Sequence, residues 1–231
     1  MKIISLILLS FLIIIQIVNA QQISEWREAN RTGVSPETGL LKSWPAEGPK
    51  LLWTNLELPK GNSSVSFGNN LIYTTGKIGS DDVMFAFDMN GKIQWQTVIG
   101  RAWTQSYPES RCTPTVEGDK VYTTSGFGDL ACVNGLTGKV IWTYKGSELN
   151  KGTYGMWGIA ESLIIDGDKI YFTPGGPETM TMALNKATGA VLSVMGQTLS
   201  GDFSFGKISQ GDHAGSLLVT AAKVSLTLGD G

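Results

Sequence analysis

A repeat of about 49 residues is the feature that most constrains how this chain folds. Three short β-type segments each carry a tyrosine, and these tyrosines, Tyr73, Tyr122 and Tyr171, are spaced 49 residues apart. A turn-and-strand segment follows each of them, at residues 88–95, 134–142 and 185–193. Because copies that stay in step at two separate places are not a chance match, the chain is built from repeated structural units.

Each unit is predicted to contain four short strands. In the second copy the β-branched and aromatic residues form four runs separated by glycine- and asparagine-bearing turns, which predicts strands at 112–116, 120–124, 129–133 and 139–144. Four strands in roughly 40–50 residues are typical of a β-propeller blade. A β-solenoid would need a shorter period and a sandwich no period at all. We therefore expect an all-β fold, a propeller of four-stranded blades.

The copies divide the chain unevenly. Blades are predicted at 57–99, 100–146 and 147–196, and a partial blade at 197–231 with strands at 217–220 and 225–228. The segment 21–56 carries Trp53 in the place of Trp95 and Trp142, which predicts an outer strand that closes the ring. Since propellers usually have 4 to 8 blades, we expect an incomplete, N-terminal portion of a longer chain. A half-ring that dimerises is the alternative, and the total blade number stays open.

The first twenty residues have the layout of a secretory signal peptide. Lys2 precedes an almost wholly apolar stretch, and Val18-Asn19-Ala20 provides a cleavage site before Gln21. The alternative is an uncleaved membrane anchor, because sixteen apolar residues approach the length of a span. With no further apolar stretch of that length, we expect an exported, soluble protein without a transmembrane segment, periplasmic or extracellular.

Composition excludes several classes of function. A net charge of −2 and only 16% charged residues, with no basic block, argue against nucleic-acid binding. One histidine and two cysteines cannot build a zinc site of three or four such ligands. Cys112 and Cys132 are expected to lie two strand spacings apart, about 9.6 Å, which is beyond the roughly 7 Å limit for a disulfide. We therefore predict two free, poorly reactive thiols.

Departures from the repeat indicate where a ligand would bind. The segments 101–111 and 147–161 are loop-like and rich in aromatic and charged residues. Aligning the copies places Arg111 and Glu161 at the start of neighbouring innermost strands, near one mouth of the central channel, where they could clamp a polar ligand or form an inter-blade ion pair. The candidate ligand-binding residues are Trp103, Tyr107, Arg111, Trp157 and Glu161.

Two acidic segments are interpreted as turn chemistry. These are Asp81-Asp82 and Asp166-Gly167-Asp168, for which a calcium site is the alternative. No catalytic residue and no metal site are predicted.

Several of these segments resemble a known family. Gly138-Lys139-Val140-Ile141-Trp142, with residues 111–116 and 157–162, is similar to the repeat of exported bacterial PQQ-like β-propeller proteins, in the quinoprotein alcohol dehydrogenase-like superfamily. The resemblance covers roughly residues 25–193. It implies a propeller, and the superfamily includes both PQQ-dependent dehydrogenases and the non-catalytic propeller of the outer-membrane protein assembly machinery.

The chain departs from the best-known dehydrogenases of that superfamily. The resemblance implies adjacent cysteines in a vicinal disulfide, whereas Cys112 and Cys132 are separated. The repeated tryptophans are predicted to pack between blades rather than to support a quinone, because they follow the repeat period. We therefore expect a non-catalytic envelope scaffold, without cofactor, that binds a protein or carbohydrate at the channel mouth. The alternative is a PQQ- and Ca²⁺-dependent alcohol dehydrogenase-like oxidoreductase.

Overall fold

The computed structural model of the chain describes residues 23–150, 154–176, 179–194, 198–207 and 217–227. The predicted signal peptide at 1–20 lies outside these residues. Apart from a 3₁₀ turn at Ala29–Arg31 and one short helix, α1 (Gly146–Leu149), every regular element is a strand. The strands are β1 (Ile23–Ser24), β2 (Ser66–Gly68), β3 (Leu71–Ile78), β4 (Asp81–Asp88), β5 (Ile93–Arg101), β6 (Thr115–Glu117), β7 (Lys120–Thr124), β8 (Leu130–Asn134), β9 (Val140–Tyr144), β10 (Ile164–Asp166), β11 (Lys169–Phe172), β12 (Met182–Asn185), β13 (Val191–Val194), β14 (Thr198–Lys207) and β15 (Leu217–Thr227).

Three antiparallel sheets form successive four-stranded blades of a β-propeller. Blade 1 is β2-β3-β4-β5, blade 2 is β6-β7-β8-β9 with β1 added beside β6, and blade 3 is β10-β11-β12-β13. Tyr73, Tyr122 and Tyr171 lie in the second strand of their blades, each opposite a residue of the first strand at the same register position. The predicted equivalence of the three tyrosines is confirmed, and so is the all-β propeller fold.

Equivalent tryptophan contacts join blades 2 and 3 to the blade before them, and blade 1 to the extended segment that carries Trp53. Each indole packs on the glycine of the following blade's third turn, where a positive φ admits only glycine without strain. A Cβ on Gly138 or Gly189 would lie 2.6 Å from the indole ring. Each indole N–H also donates to a carbonyl in that turn: Trp53 to Met89, Trp95 to Gly135 and Trp142 to Lys186, at 2.9, 2.8 and 3.0 Å. The prediction that the repeated tryptophans pack between blades is confirmed for Trp95 and Trp142.

One part of the tryptophan prediction needs correction. Trp95 and Trp142 lie in fourth strands, β5 and β9, but Trp53 lies in an extended segment that belongs to none of the described sheets. Trp53 makes its docking contact from the preceding side of blade 1, as a fourth strand of another blade would. No strand pairs with this segment among the described residues, and its ring-closing role stays a prediction.

Two further strand predictions are wrong. The first strand of blade 2 begins at Thr115 rather than Cys112, because Pro114 has no N–H to donate to a ladder. Residues 217–220 and 225–228 were predicted as separate strands, whereas a single strand, β15, runs from Leu217 to Thr227 and pairs with β14. The intervening residues 221–224 contain no glycine, proline or asparagine, so nothing in the sequence turns the chain there.

Both cysteines are buried and unpaired, as predicted. Cys112 lies just before β6, and Cys132 lies in the middle of β8 opposite Trp142. Burial raises the pKa of the Cys112 thiol far above its usual range and that of Cys132 to about 12. Since the thiolate is the reactive form, both thiols are held unreactive.

Candidate functional site

The candidate site is a cavity of about 390 Å³, and we call it the channel mouth after the position predicted for Arg111 and Glu161. It lies where the residues just before the inner strands β2, β6 and β10 approach an N-terminal segment. Arg111 and Glu161, predicted to meet at this mouth, both line it. The full lining is Trp26, Arg31, Asn62, Ser64, Arg111, Thr113, Ala160, Glu161 and Ser162.

The Arg111 side chain ties two loops together by binding their carbonyl groups. Its guanidinium donates to the carbonyls of Tyr107 and Trp157, and also to Ser106 at 3.3 Å. Its Nε donates to the Glu109 carbonyl at 3.3 Å. The Arg111 guanidinium thus fixes the loop 101–111 against the loop that carries Trp157.

The ion pair between Arg111 and Glu161 that the sequence left open is not formed among the described residues. Glu161 instead accepts hydrogen bonds from the backbone N–H and the hydroxyl of Thr173, both at 2.9 Å. Burial raises the pKa of the Glu161 carboxyl above its usual value, and the Thr173 hydrogen bonds and the Arg31 charge act in the opposite direction. The carboxylate is therefore anchored within blade 3.

Tyr107 and Trp157 form an aromatic pair on the surface beside the cavity. Their rings are stacked, with centroids 5.3 Å apart and an angle of 23° between the planes. Tyr107 is 68% exposed and Trp157 is 54% exposed. We call these two residues the aromatic platform. Its position next to Arg111 brings three of the five predicted ligand-binding residues together.

Trp103 is only 2% exposed, so its role as a direct ligand contact, expected from the sequence, needs correction. Its ring packs against Phe127 and Tyr154, with centroids 5.0 and 6.0 Å away. Its indole N–H donates to the Ser106 hydroxyl at 3.2 Å, and that hydroxyl donates to the Met156 carbonyl. Trp103 therefore supports the two loops from beneath.

The N-terminal segment contributes two lining residues that the sequence did not single out. β1 pairs with β6, the inner strand of blade 2, and the Ser24 hydroxyl accepts a hydrogen bond from the Phe67 N–H of blade 1 at 2.9 Å. Arg31 forms an ion pair with Glu25 at 2.9 Å and donates to the carbonyls of Ser162 and Leu163. The segment touches all three blades. Because it lies outside the repeat and β1 has only two residues, no pattern in the sequence indicated it.

The two acidic segments behave differently from each other. Asp166 ends β10 and Asp168 lies in a tight turn whose Gly167 has a positive φ, where it forms an ion pair with the adjacent Lys169, as turn chemistry predicts. Asp82, in contrast, lies inside β4, is 1% exposed, and accepts a hydrogen bond from the Gly126 N–H of blade 2 at 2.7 Å. Its other carboxylate oxygen has no hydrogen-bond partner among the described residues. The turn interpretation of Asp82 is therefore wrong.

The cavity does not fit a calcium-bound quinone. Ca²⁺ prefers six to eight oxygen ligands with several carboxylates. The described lining offers one carboxylate, Glu161, and two guanidinium groups, Arg31 and Arg111. Within the described ranges, no group of three or more histidine, cysteine, aspartate or glutamate side chains is arranged to hold a metal ion. A divalent cation here would meet two guanidinium groups of like charge.

Comparisons with known proteins place the chain among propeller proteins. Residues 80–202 match the model of a family described as outer membrane protein assembly factor BamB. The outer membrane protein assembly factor BamB of Shewanella oneidensis is 29% identical over 148 residues, which cover 60% of this chain and 36% of that protein. The chain thus spans about a third of the length of this curated relative.

Solved propeller structures are also similar. A europium-containing methanol dehydrogenase is 19% identical with a TM-score of 0.49, covering 63% of this chain and 26% of that one. BamB from Moraxella catarrhalis is 16% identical with a TM-score of 0.45, covering 77% and 54% of the two chains. In the part of the chain that the structure describes, no helix has the length and apolar character needed to cross a membrane.

Proposed function

This chain belongs to the family of the outer membrane protein assembly factor BamB, and we propose that it is an exported binding scaffold of the cell envelope with no catalytic chemistry of its own. In this proposal the signal peptide is cleaved after Ala20, and the mature protein starts at Gln21 and stays soluble outside the cytoplasm. The apolar N-terminal stretch and the family membership support the location.

The observation that carries the binding role is the aromatic platform. Large apolar rings are normally buried on folding, and an exposed aromatic pair held in fixed alignment is typical of an interaction site. Arg111 holds both Tyr107 and Trp157 through their carbonyls, so the rings are aligned before any ligand arrives. A site of this kind binds with little loss of side-chain freedom.

The charged side chains of the cavity make positioning contacts, which supports the scaffold proposal. Both oxygens of Glu161 accept hydrogen bonds from Thr173, and these hold the carboxylate within blade 3. The Arg111 guanidinium is likewise occupied by carbonyl groups. These side chains hold the shape of the mouth.

Location and binding surface can be tested together in cells. The full chain, with its N-terminus intact, is expressed in a bacterium with an outer membrane, and we expect it in the periplasmic fraction with an N-terminus at Gln21. A photo-crosslinking residue replaces Tyr107, or Lys169 on the far turn of blade 3 as the control. Crosslinks to an envelope component at position 107 alone are expected. Retention in the cytoplasm, or equal crosslinking at both positions, would contradict the proposal.

The second candidate function is a quinone-dependent oxidoreductase, which would bind PQQ and Ca²⁺ and oxidise a substrate. For the scaffold we expect no heat of binding when PQQ and Ca²⁺ are titrated into the protein, and no dye reduction with small alcohols or aldoses. Micromolar binding with turnover that is lost in Glu161→Gln would replace the scaffold by the dehydrogenase.

A further inference from the structure

The aromatic platform and the cavity are linked through Arg111. Arg111 belongs to both, because its guanidinium lines the cavity and holds the carbonyls of Tyr107 and Trp157. Tyr107 has a φ of 42°, which is uncommon for a bulky residue and costs free energy. The fold therefore maintains the exposed stack against both backbone strain and the cost of exposing apolar surface.

The charged groups that line the cavity, as far as the structure describes them, already make ion pairs or hydrogen bonds within the protein. Arg31 is paired with Glu25 and donates to two carbonyls of blade 3. Arg111 is occupied by loop carbonyls, and Glu161 is held by Thr173. An ionic ligand would have to displace these contacts, because a charge that enters a partly buried site needs a partner of its own. A neutral ligand has no such requirement.

The remaining lining is polar and adapted to hydrogen bonding. Asn62, Ser64, Thr113 and Ser162 surround the space, and Trp26 provides a partly exposed indole. The cavity volume of about 390 Å³ lies within the range of small-molecule sites. A protein hot spot would instead require a dry apolar pocket around the aromatic rings. The surface thus joins a flat aromatic face to a concave polar space.

A pyranose sugar has the complementary chemistry. One face of its ring presents C–H groups, which pack on an aromatic face, while its edge presents hydroxyl groups that donate and accept hydrogen bonds. We propose that this surface binds a neutral oligosaccharide, with one sugar ring on the aromatic platform and the adjoining ring in the cavity. This inference rests on the proposed binding role of the channel mouth and names the class of ligand.

The probes are neutral tetrasaccharides of β-glucose, α-glucose, β-xylose and β-N-acetylglucosamine, titrated into the whole chain while tryptophan fluorescence and heat are recorded. We expect at least one to bind with a Kd below about 1 mM, and Trp157→Ala and Tyr107→Ala each to raise that Kd about tenfold or more. Trp44→Ala removes a tryptophan that is 67% exposed and lies outside the site, and it is expected to leave the Kd unchanged. Raising the salt from 50 to 500 mM is also expected to leave it unchanged, since the ligand carries no charge.

Three outcomes would overturn the sugar assignment. These are no binding of any probe at 10 mM, binding that Trp157→Ala does not weaken, and preference for a uronic-acid oligomer with an affinity that falls steeply with salt. The crosslinking experiment distinguishes this failure from failure of the scaffold. A protein crosslinked at position 107, without sugar binding, keeps the scaffold and rejects the oligosaccharide, whereas no crosslink and no sugar binding reject both.

Discussion

The tryptophans that dock between blades and the tryptophans at the channel mouth have the same side chain in opposite settings. Trp95 and Trp142 pack on glycine turns and donate their indole N–H to a carbonyl of the next blade. Trp157 stacks on Tyr107 and is 54% exposed. The first kind repeats with the blade and the second does not. In this chain, an aromatic residue that recurs with the repeat indicates packing between blades, and one that departs from the repeat indicates a candidate binding surface.

The largest expected effect comes from removing a docking tryptophan. Trp142 is 8% exposed and packs against Tyr122 as well as the blade 3 turn. Trp142→Ala should lower the free energy of unfolding by about 3–5 kcal/mol, because a buried ring is lost and a cavity remains. Trp157→Ala should lower it by less than about 1 kcal/mol. Urea titrations of both variants measure this, and equal losses would show that the two settings do not differ energetically.

The next effect concerns a buried charge at the interface between blades 1 and 2. Burial raises the pKa of Asp82 to about 6 from the usual 3.8, despite the hydrogen bond from Gly126 and the nearby charges of Arg111 and Lys77. Since the folded pKa exceeds the unfolded one, this group favours folding below about pH 4, and that contribution is lost as the pH rises through 6.

Asp82→Asn should remove this dependence on pH. The free energies of unfolding of the variant and the natural protein should be similar at pH 4. At pH 8 that of the variant should be higher by up to about 3 kcal/mol. The measurement is the free energy of unfolding of both proteins across that range. If the free energies of unfolding of the two proteins changed with pH in parallel, the charge of Asp82 would carry no cost at the blade interface, which would contradict this prediction.

A smaller effect separates ring contact from backbone strain. Gly138 and Gly167 both have a positive φ, of 69° and 57°, so replacing either by alanine imposes a similar backbone penalty of about 1 kcal/mol. Only at Gly138 would the new methyl group collide with the Trp95 ring, and at Gly167 nothing lies within 4 Å. Gly138→Ala should therefore lose a further 1–3 kcal/mol or so. Identical unfolding curves would show that the indole moves aside freely.

The smallest effect is electrostatic. Lys186 binds Glu117 with 2.7 Å between Nζ and Oε2 and joins blade 3 to blade 2, whereas Lys169 pairs with Asp168 in an exposed turn. Lys186→Met should cost about 0.5–1 kcal/mol at low salt, and Lys169→Met close to nothing. The difference should shrink in 1 M NaCl because salt screens partly exposed pairs. If the difference between the two variants persisted in high salt, packing of the Lys186 methylene groups, and not its charge, would be its cause.

The fold could be predicted because its signals are local and repeated. Turn glycines, strand composition and the tryptophan period each report on one blade, and three copies reinforce one another. The site could be predicted only in part. Departures from the repeat indicated four residues of the site: Arg111, Tyr107, Trp157 and Glu161. Their hydrogen-bond partners could not be predicted, because a bond to a backbone carbonyl does not depend on the side chain of the residue that accepts it.

The residues that sequence reasoning missed share a physical cause. Arg31 and Trp26 reach the cavity through a two-residue strand whose pairing with β6 has no local signature. Asp82 looks like a turn residue in the sequence because it follows Ser80 and Asp81, yet β4 begins at Asp81 and carries its side chain into the interface. Both depend on contacts between distant segments, which composition and spacing do not encode.

The docking tryptophans make the row of blades directional. At the interface of blade 1 with blade 2 and at that of blade 2 with blade 3, the earlier blade supplies the tryptophan ring and the later blade supplies the glycine turn. The two sides of each interface therefore have different roles. Blade 3 receives the ring of Trp142 on Gly189, while the third copy of the repeat has Ser193 where the earlier copies have the ring. A substitution in the glycine turn of one blade therefore removes the packing surface for the tryptophan of the preceding blade, so its effect extends toward the N-terminus.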